Sequence, residues 1–175
     1  MGAEPWDYYV PYRADIAAAL DDLRNQEFAA GRYNRDPNEP LADSIEEAIE
    51  QADADGTGSI LDIRSVADQP HVVDSDESPF FTVVPLSSEQ LIETYGTDKP
   101  TRSAIDKAGG FPEWVDRGFG IYLIVHDDAG TPSQIYFGGY SFDRARRAHG
   151  GQRVAMGNVL RGVGKPSWPS TTYPT

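Results

Sequence analysis

Ile121-Tyr122-Leu123-Ile124-Val125-His126-Asp127-Asp128-Ala129-Gly130-Thr131-Pro132-Ser133-Gln134-Ile135-Tyr136-Phe137-Gly138-Gly139-Tyr140 is the stretch on which the fold turns. Two β-rich runs, Ile121 to Val125 and Ile135 to Tyr140, flank a polar Asp127 to Pro132 segment. That pattern predicts a hairpin with a medium-length loop. Both runs are almost continuously apolar or aromatic, so the hairpin belongs in the middle of a sheet. The expected fold is α+β: a mainly antiparallel sheet around this central hairpin, with helices packed on one face. The glycines at 118, 120, 138 and 139 mark bulges or close backbone approach rather than a phosphate loop, because no Lys-Ser or Lys-Thr follows them.

Working outward, Asp7 to Tyr12 is aromatic and β-prone, with Pro11 limiting it to a short or edge strand. From Arg13 the period changes: Ile16, Ala19, Leu20 and Leu23 share one helical face, and Gly31 ends the run. A short acidic helix starts near Ser44, with Glu47 as its capping-box partner. Ser59 to Val66 alternates as a strand does, and Phe80 to Leu86 reads as another. Ser87 and Gln90 make a second capping box for a helix stopping at Gly96. Thr101 caps a brief helical turn, and Pro112 suits the first position of one more.

Charge divides the chain sharply. All 28 acidic residues precede Arg144, while six of the 15 basic ones follow Asp143. Residues 1–143 therefore form an acidic α+β domain, and 144–175 a basic, Gly/Pro/Ser-rich tail carrying Arg144, Arg146 and Arg147. The tail's cations favour carboxylates of this chain or of a second copy. The acidic body disfavours nucleic acid and anionic membrane, and steers basic protein surfaces toward itself. There is no cysteine, which excludes disulfides and thiolate chemistry. The first residues lack a positive segment followed by an apolar run, and no apolar stretch approaches about 20 residues, so a cytoplasmic location is expected.

Asp53-Ala54-Asp55-Gly56-Thr57-Gly58-Ser59-Ile60-Leu61-Asp62-Ile63-Arg64 follows a calcium-loop pattern at Asp53, Asp55, Gly58 and Ile60. Its twelfth position is Arg64, where calcium needs a bidentate carboxylate. A tight turn using glycine's access to positive φ is the better reading, and no metal or cofactor is expected. His71, His126 and His149 have no metal-ligand spacing. Were this an enzyme, His126 beside Asp127, with Tyr140, would be the acid–base candidates. Tyr8, Tyr122 and Tyr140 are the hydroxyls to inspect for a pocket that stacks a planar ligand.

Three segments together resemble a known group: Gly56 to Ile63, Tyr95-Gly96-Thr97-Asp98-Lys99-Pro100-Thr101-Arg102, and Ile135 to Asp143. They are similar to a family of small, acidic, uncharacterised actinobacterial proteins. The resemblance covers residues 7 to 143 and implies no activity, so it assigns no functional residue. The tail is additional to the shared part.

With no catalytic constellation, the sequence points to a non-catalytic interaction module, of an immunity or antitoxin-like kind. Glu46, Glu47 and Glu50 would offer acidic surface to a basic partner, and Arg144, Arg146 and Arg147 would serve self-association. The alternative is a small enzyme or small-ligand-binding protein, biosynthetic or hydrolytic, with an aromatic-lined pocket and a His or Tyr acid–base group.

Overall fold

The computed structural model describes residues 4–35, 37–52, 56–71 and 79–141. In chain order the elements are β1 (Pro5–Pro11), α1 (Ile16–Ala29), α2 (Ile45–Ala52), a 3-10 turn (Ile60–Asp62), β2 (Ser65–Val66) and β3 (Thr82–Pro85). They continue with α3 (Ser88–Tyr95), α4 (Arg102–Ala108), β4 (Gly120–His126) and β5 (Pro132–Tyr140). The strands make one five-stranded sheet in the order β1-β5-β4-β3-β2. The fold is α+β, and the hairpin forms as expected: β4 pairs antiparallel with β5 from Gly120–Gly139 to His126–Pro132.

Two expectations need correction. The sheet is mixed, because β1, β5 and β4 are antiparallel neighbours while β4–β3 and β3–β2 are parallel. Parallel neighbours need a crossover to bring the chain back to the same end. Here α3 and α4 provide it between β3 and β4. The helices also cover both faces. Ala19, Leu20 and Leu23 of α1 pack on Val83, Ile135 and Phe137. On the opposite side, Ile105 of α4, with Leu91 and Tyr95 of α3, packs on Val84, Ile121, Leu123, Val125 and Tyr136. Residues alternate between faces along a strand, so two apolar faces on β4 and β5 require two covering layers.

Local chemistry explains several element ends. Asp15 accepts from the Ala18 N–H and caps α1. Ser87 and Gln90 form the reciprocal capping box of α3, which ends on Gly96 at φ 79°. Ser59 to Val66 forms no long strand. The Asp62 carboxylate accepts from the Thr57 N–H at 3.0 Å, and Ser59 caps the 3-10 turn. The chain therefore doubles back and buries Ile60, Leu61 and Ile63 together. Pro112 to Val115 makes one turn, closed by the Val115 N–H on the Pro112 carbonyl, and no helix.

The sheet glycines mark close approach, as read. A Cβ on Gly139 would lie 2.5 Å from the Phe119 carbonyl oxygen and 2.8 Å from the Trp6 ring. Trp6 sits on β1 directly opposite Gly139, so its indole lies over bare backbone. Among the described residues, no helix is long and apolar enough to cross a membrane.

Candidate functional site

The α4 side of the sheet carries an open cleft of about 550 Å³. It lies where β1 and the end of β5 meet the chain leaving α4. α4 ends on Gly109 (φ 87°), and Gly110 (φ 95°) follows, so two consecutive residues take a conformation that side chains disfavour. The double reversal brings Phe111 back across the sheet. Its ring meets Tyr140 edge-on at 5.1 Å, and a Cβ on Gly138 would lie 2.6 Å from it. Glycine at 138 is therefore what admits Phe111. Pro5, Pro112 and Trp6 complete the apolar lining, and Asp7 and Glu113 supply carboxylates.

Four tyrosines crowd this face. The Tyr9 hydroxyl donates to Asp106 Oδ1 at 2.7 Å, tying β1 to α4. The Arg102 guanidinium stacks over the Tyr9 ring at 4.1 Å, a cation–π contact. Tyr95 donates to the Gly110 carbonyl at 3.0 Å, pinning the loop that carries Phe111. Tyr140 lines the cleft mouth.

Tyr136 differs. Its side chain is fully buried, packed against Tyr9 at 4.9 Å between ring centres, and its hydroxyl has no hydrogen-bond partner. Gly110 and Gly138 leave the space it occupies: a Cβ on either would lie within 2.9 Å of that oxygen. Asp7 is diagonally across from Tyr136 in the β1–β5 register. Asp7 acts on Tyr136 through its charge and, more weakly, as a hydrogen-bond acceptor, although no bond of ordinary geometry forms between them. A buried hydroxyl left unpaired costs on the order of 1–3 kcal/mol.

Burial, and secondarily the Asp7 charge, raises the Tyr136 hydroxyl well above the ordinary tyrosine range. Burial also raises Tyr95, and burial with the bond to Asp106 raises Tyr9. These phenols stay protonated at neutral pH. They can donate or accept hydrogen bonds but do not serve as anionic nucleophiles or bases.

The residues named from sequence do not converge. His126 ends β4 and pairs with Pro132, whereas Tyr140 lies at the other end of the same hairpin. Six residues of strand separate them, roughly 20 Å. Asp127 accepts from the Ala129 N–H at 3.0 Å and the Thr131 N–H at 2.8 Å, so its carboxylate builds the turn rather than serving His126. The His126 Nδ1 is buried without a partner. Tyr8 and Tyr122 lie on the α1 face, across the sheet from Tyr140. Burial and the Glu27 charge push Tyr8 up to about 12.

Glu46 and Glu50 are exposed on α2, while Glu47 accepts from the Asp43 N–H at 2.6 Å. Arg144, Arg146 and Arg147 lie outside the described residues, as do Asp53 and Asp55. Gly56 and Gly58 take φ of 69° and 65°, which fits the turn reading. Arg64 stacks on the Phe81 ring at 5.0 Å. Among the described residues, no group of three or more His, Asp or Glu is placed to hold a metal ion.

Sequence reasoning passed over Asp7, Phe111 and Glu113, and counted Tyr136 among the aromatic residues of a pocket without singling it out. A usable signal was present: paired glycines at 109–110 and 138–139, each beside an aromatic residue, mark where rings and backbone approach. No known protein family, curated protein or solved structure matches the chain.

Proposed function

We propose that this protein is a non-catalytic interaction module, immunity or antitoxin-like in kind, which presents acidic surface to a basic protein partner. The observation carrying the reading is the separation of the acid–base candidates. His126 and Tyr140 stand at opposite ends of the hairpin, and Asp127 is committed to its turn. The cleft pairs carboxylates with neutral phenols and lacks an activated nucleophile beside a base. Exposed carboxylates on α1 and α2, among them Asp21, Asp22, Glu46 and Glu50, extend the acidic surface beyond the cleft.

The test uses the full chain to capture a partner from its native cell extract, followed by affinity measurements on the purified pair from 50 to 500 mM salt. Affinity should fall steeply with ionic strength, since screening shortens the reach of charge. Salt-independent binding, or no partner, rejects the proposal. A second reading, binding of a small ligand, is favoured by the aromatic lining of the same cleft.

A further inference from the structure

We propose that the cleft beside β1 is a receptor for an organic cation, an alkylguanidinium ahead of an alkylammonium, held by Asp7 and Glu113 over the Tyr136 hydroxyl. The inference deepens the interaction reading and rests on it: the cation would be an arginine or lysine side chain of the basic partner.

Three observations converge. The carboxylates of Asp7 and Glu113 line the cleft, and among the described residues no Lys, Arg or His does so. Arg102 of α4, on the same face, is already engaged: it stacks on Tyr9 and lies 3.9 Å from Asp106. Phe111 and Tyr140 present aromatic surface, held edge-on to each other at 5.1 Å. Tyr136, fully buried, reaches the cleft with an unpartnered hydroxyl.

Each class of ligand can be weighed against that set. An anion would face two carboxylates with no compensating positive charge. A neutral hydrocarbon would leave the phenol unsatisfied and would displace water from the two exposed carboxylates without replacing its hydrogen bonds. A cation with several N–H groups satisfies all three at once: it donates to the carboxylates, and the Tyr136 oxygen accepts a further N–H. Its alkyl stem then lies along Phe111 and Pro112. Aromatic rings favour cations on their faces, and the planar guanidinium stacks there while keeping its N–H fork free for carboxylates. Keeping Tyr136 a neutral phenol suits this role, because a phenol oxygen accepts without repelling a nearby carboxylate.

The shared chemistry has two sources, a protein side chain or a free small cation, and separate arms tell them apart. Calorimetric titration of the full chain with butylguanidine, butylamine and the neutral isostere butylurea tests the chemistry directly. Butylguanidine should bind most tightly, butylamine more weakly, and butylurea at least tenfold more weakly than butylguanidine. Asp7→Asn should weaken butylguanidine at least fivefold. Tyr136→Phe should weaken it severalfold while leaving the ligand-free melting temperature unchanged or higher, since the lost hydroxyl had no internal partner. Butylurea binding as well as butylguanidine, or both variants binding like the parent, overturns the inference. So does a marked loss of melting temperature in Tyr136→Phe, which would reveal a structural hydroxyl.

The same variants, titrated with the captured protein partner, separate this inference from the broader one. Weakened partner binding in Asp7→Asn identifies the source as a partner side chain. Unchanged partner binding, with butylguanidine still bound, identifies a free cation. Salt-sensitive partner binding in a chain that ignores butylguanidine leaves the module standing and rejects the cleft.

Discussion

Both faces of the sheet are covered by helices, yet they are finished differently. On the α1 face, α1 buries Ala19, Leu20, Leu23 and Glu27. The buried Glu27 carboxylate receives Arg32 through both oxygens, at 2.9 and 2.6 Å. Asp62 is tied to the Thr57 N–H. Arg24 reaches the Leu61 carbonyl at 3.4 Å, although its Nε is unpaired. On the other face α3 buries no residue completely and α4 only Ile105. There the sheet keeps an open cleft, two carboxylates without a cation among the cleft-lining residues, and the Tyr136 hydroxyl without a partner. Both faces keep a buried unpaired group, Arg24 Nε and Trp6 Nε1 on the α1 side and the Tyr136 hydroxyl on the other, so the difference lies in access: the α1 face is packed over by its helix, while the α4 face opens a cleft lined by carboxylates. A stable core needs the first condition and a binding surface the second, so the sheet divides the two demands between its sides.

Matched truncations would test that division most severely. Leu20→Ala should cost about 2–5 kcal/mol, the range for a fully buried leucine. Leu91→Ala on half-buried α3 should cost roughly half as much, because its site is partly hydrated already. Urea unfolding of both variants measures the pair, and equal losses would remove the contrast between the faces. A smaller effect is expected from Gly138→Ala, whose Cβ would meet Phe111 Cδ1 at 2.6 Å and the Tyr136 oxygen at 2.8 Å. Overpacking of this kind costs about 1–3 kcal/mol. Thermal melting checks it, and an unchanged melting temperature would show that Phe111 is free to move away from the sheet.

The mildest effect is on the alkaline side. Tyr8, Tyr9, Tyr95, Tyr122 and Tyr136 are all raised above the ordinary tyrosine value, chiefly by burial. A raised acid holds its proton in the folded state after the unfolded chain has lost it. The stability it supplies is thus complete below about pH 10 and drains away as pH rises through the folded values, near 12 for Tyr8. Denaturant midpoints should decline progressively above pH 10. Absorbance at 295 nm should show part of the phenolate appearing only on unfolding. If all nine tyrosines ionise in the folded protein with no loss of midpoint, the buried phenols are more open than the structure shows.

Much of the fold was legible because its causes are local. The 121–140 hairpin follows from two apolar runs around a turn-forming segment. The α3 start follows from Ser87 and Gln90, three residues apart, and its stop from Gly96. The parallel half of the sheet was not legible, since parallel pairing depends on where a crossover lands. Continuous apolarity in β4 and β5 did carry the hint of two covered faces, and reading it only as centrality missed the second helical layer. Ser59 to Val66 shows the reverse failure. Its alternation is strand-like, but the Asp62 bond to the Thr57 N–H bends the chain into a turn.

The candidate site divides in the same way. Composition by itself determined that the domain is acidic, that thiol and disulfide chemistry is excluded and that aromatic residues abound. Only the tertiary structure decided which of those residues meet. The β1–β5 register sets Asp7 diagonally opposite Tyr136, and the Gly109-Gly110 reversal returns Phe111 to Gly138. Tyr136 and Tyr122 look alike in sequence, each on a strand of the same hairpin. Opposite positions in the pleat send one toward the open cleft and the other toward the α1 face. A hydroxyl's partner is fixed by distances across the fold, which residue order alone does not contain.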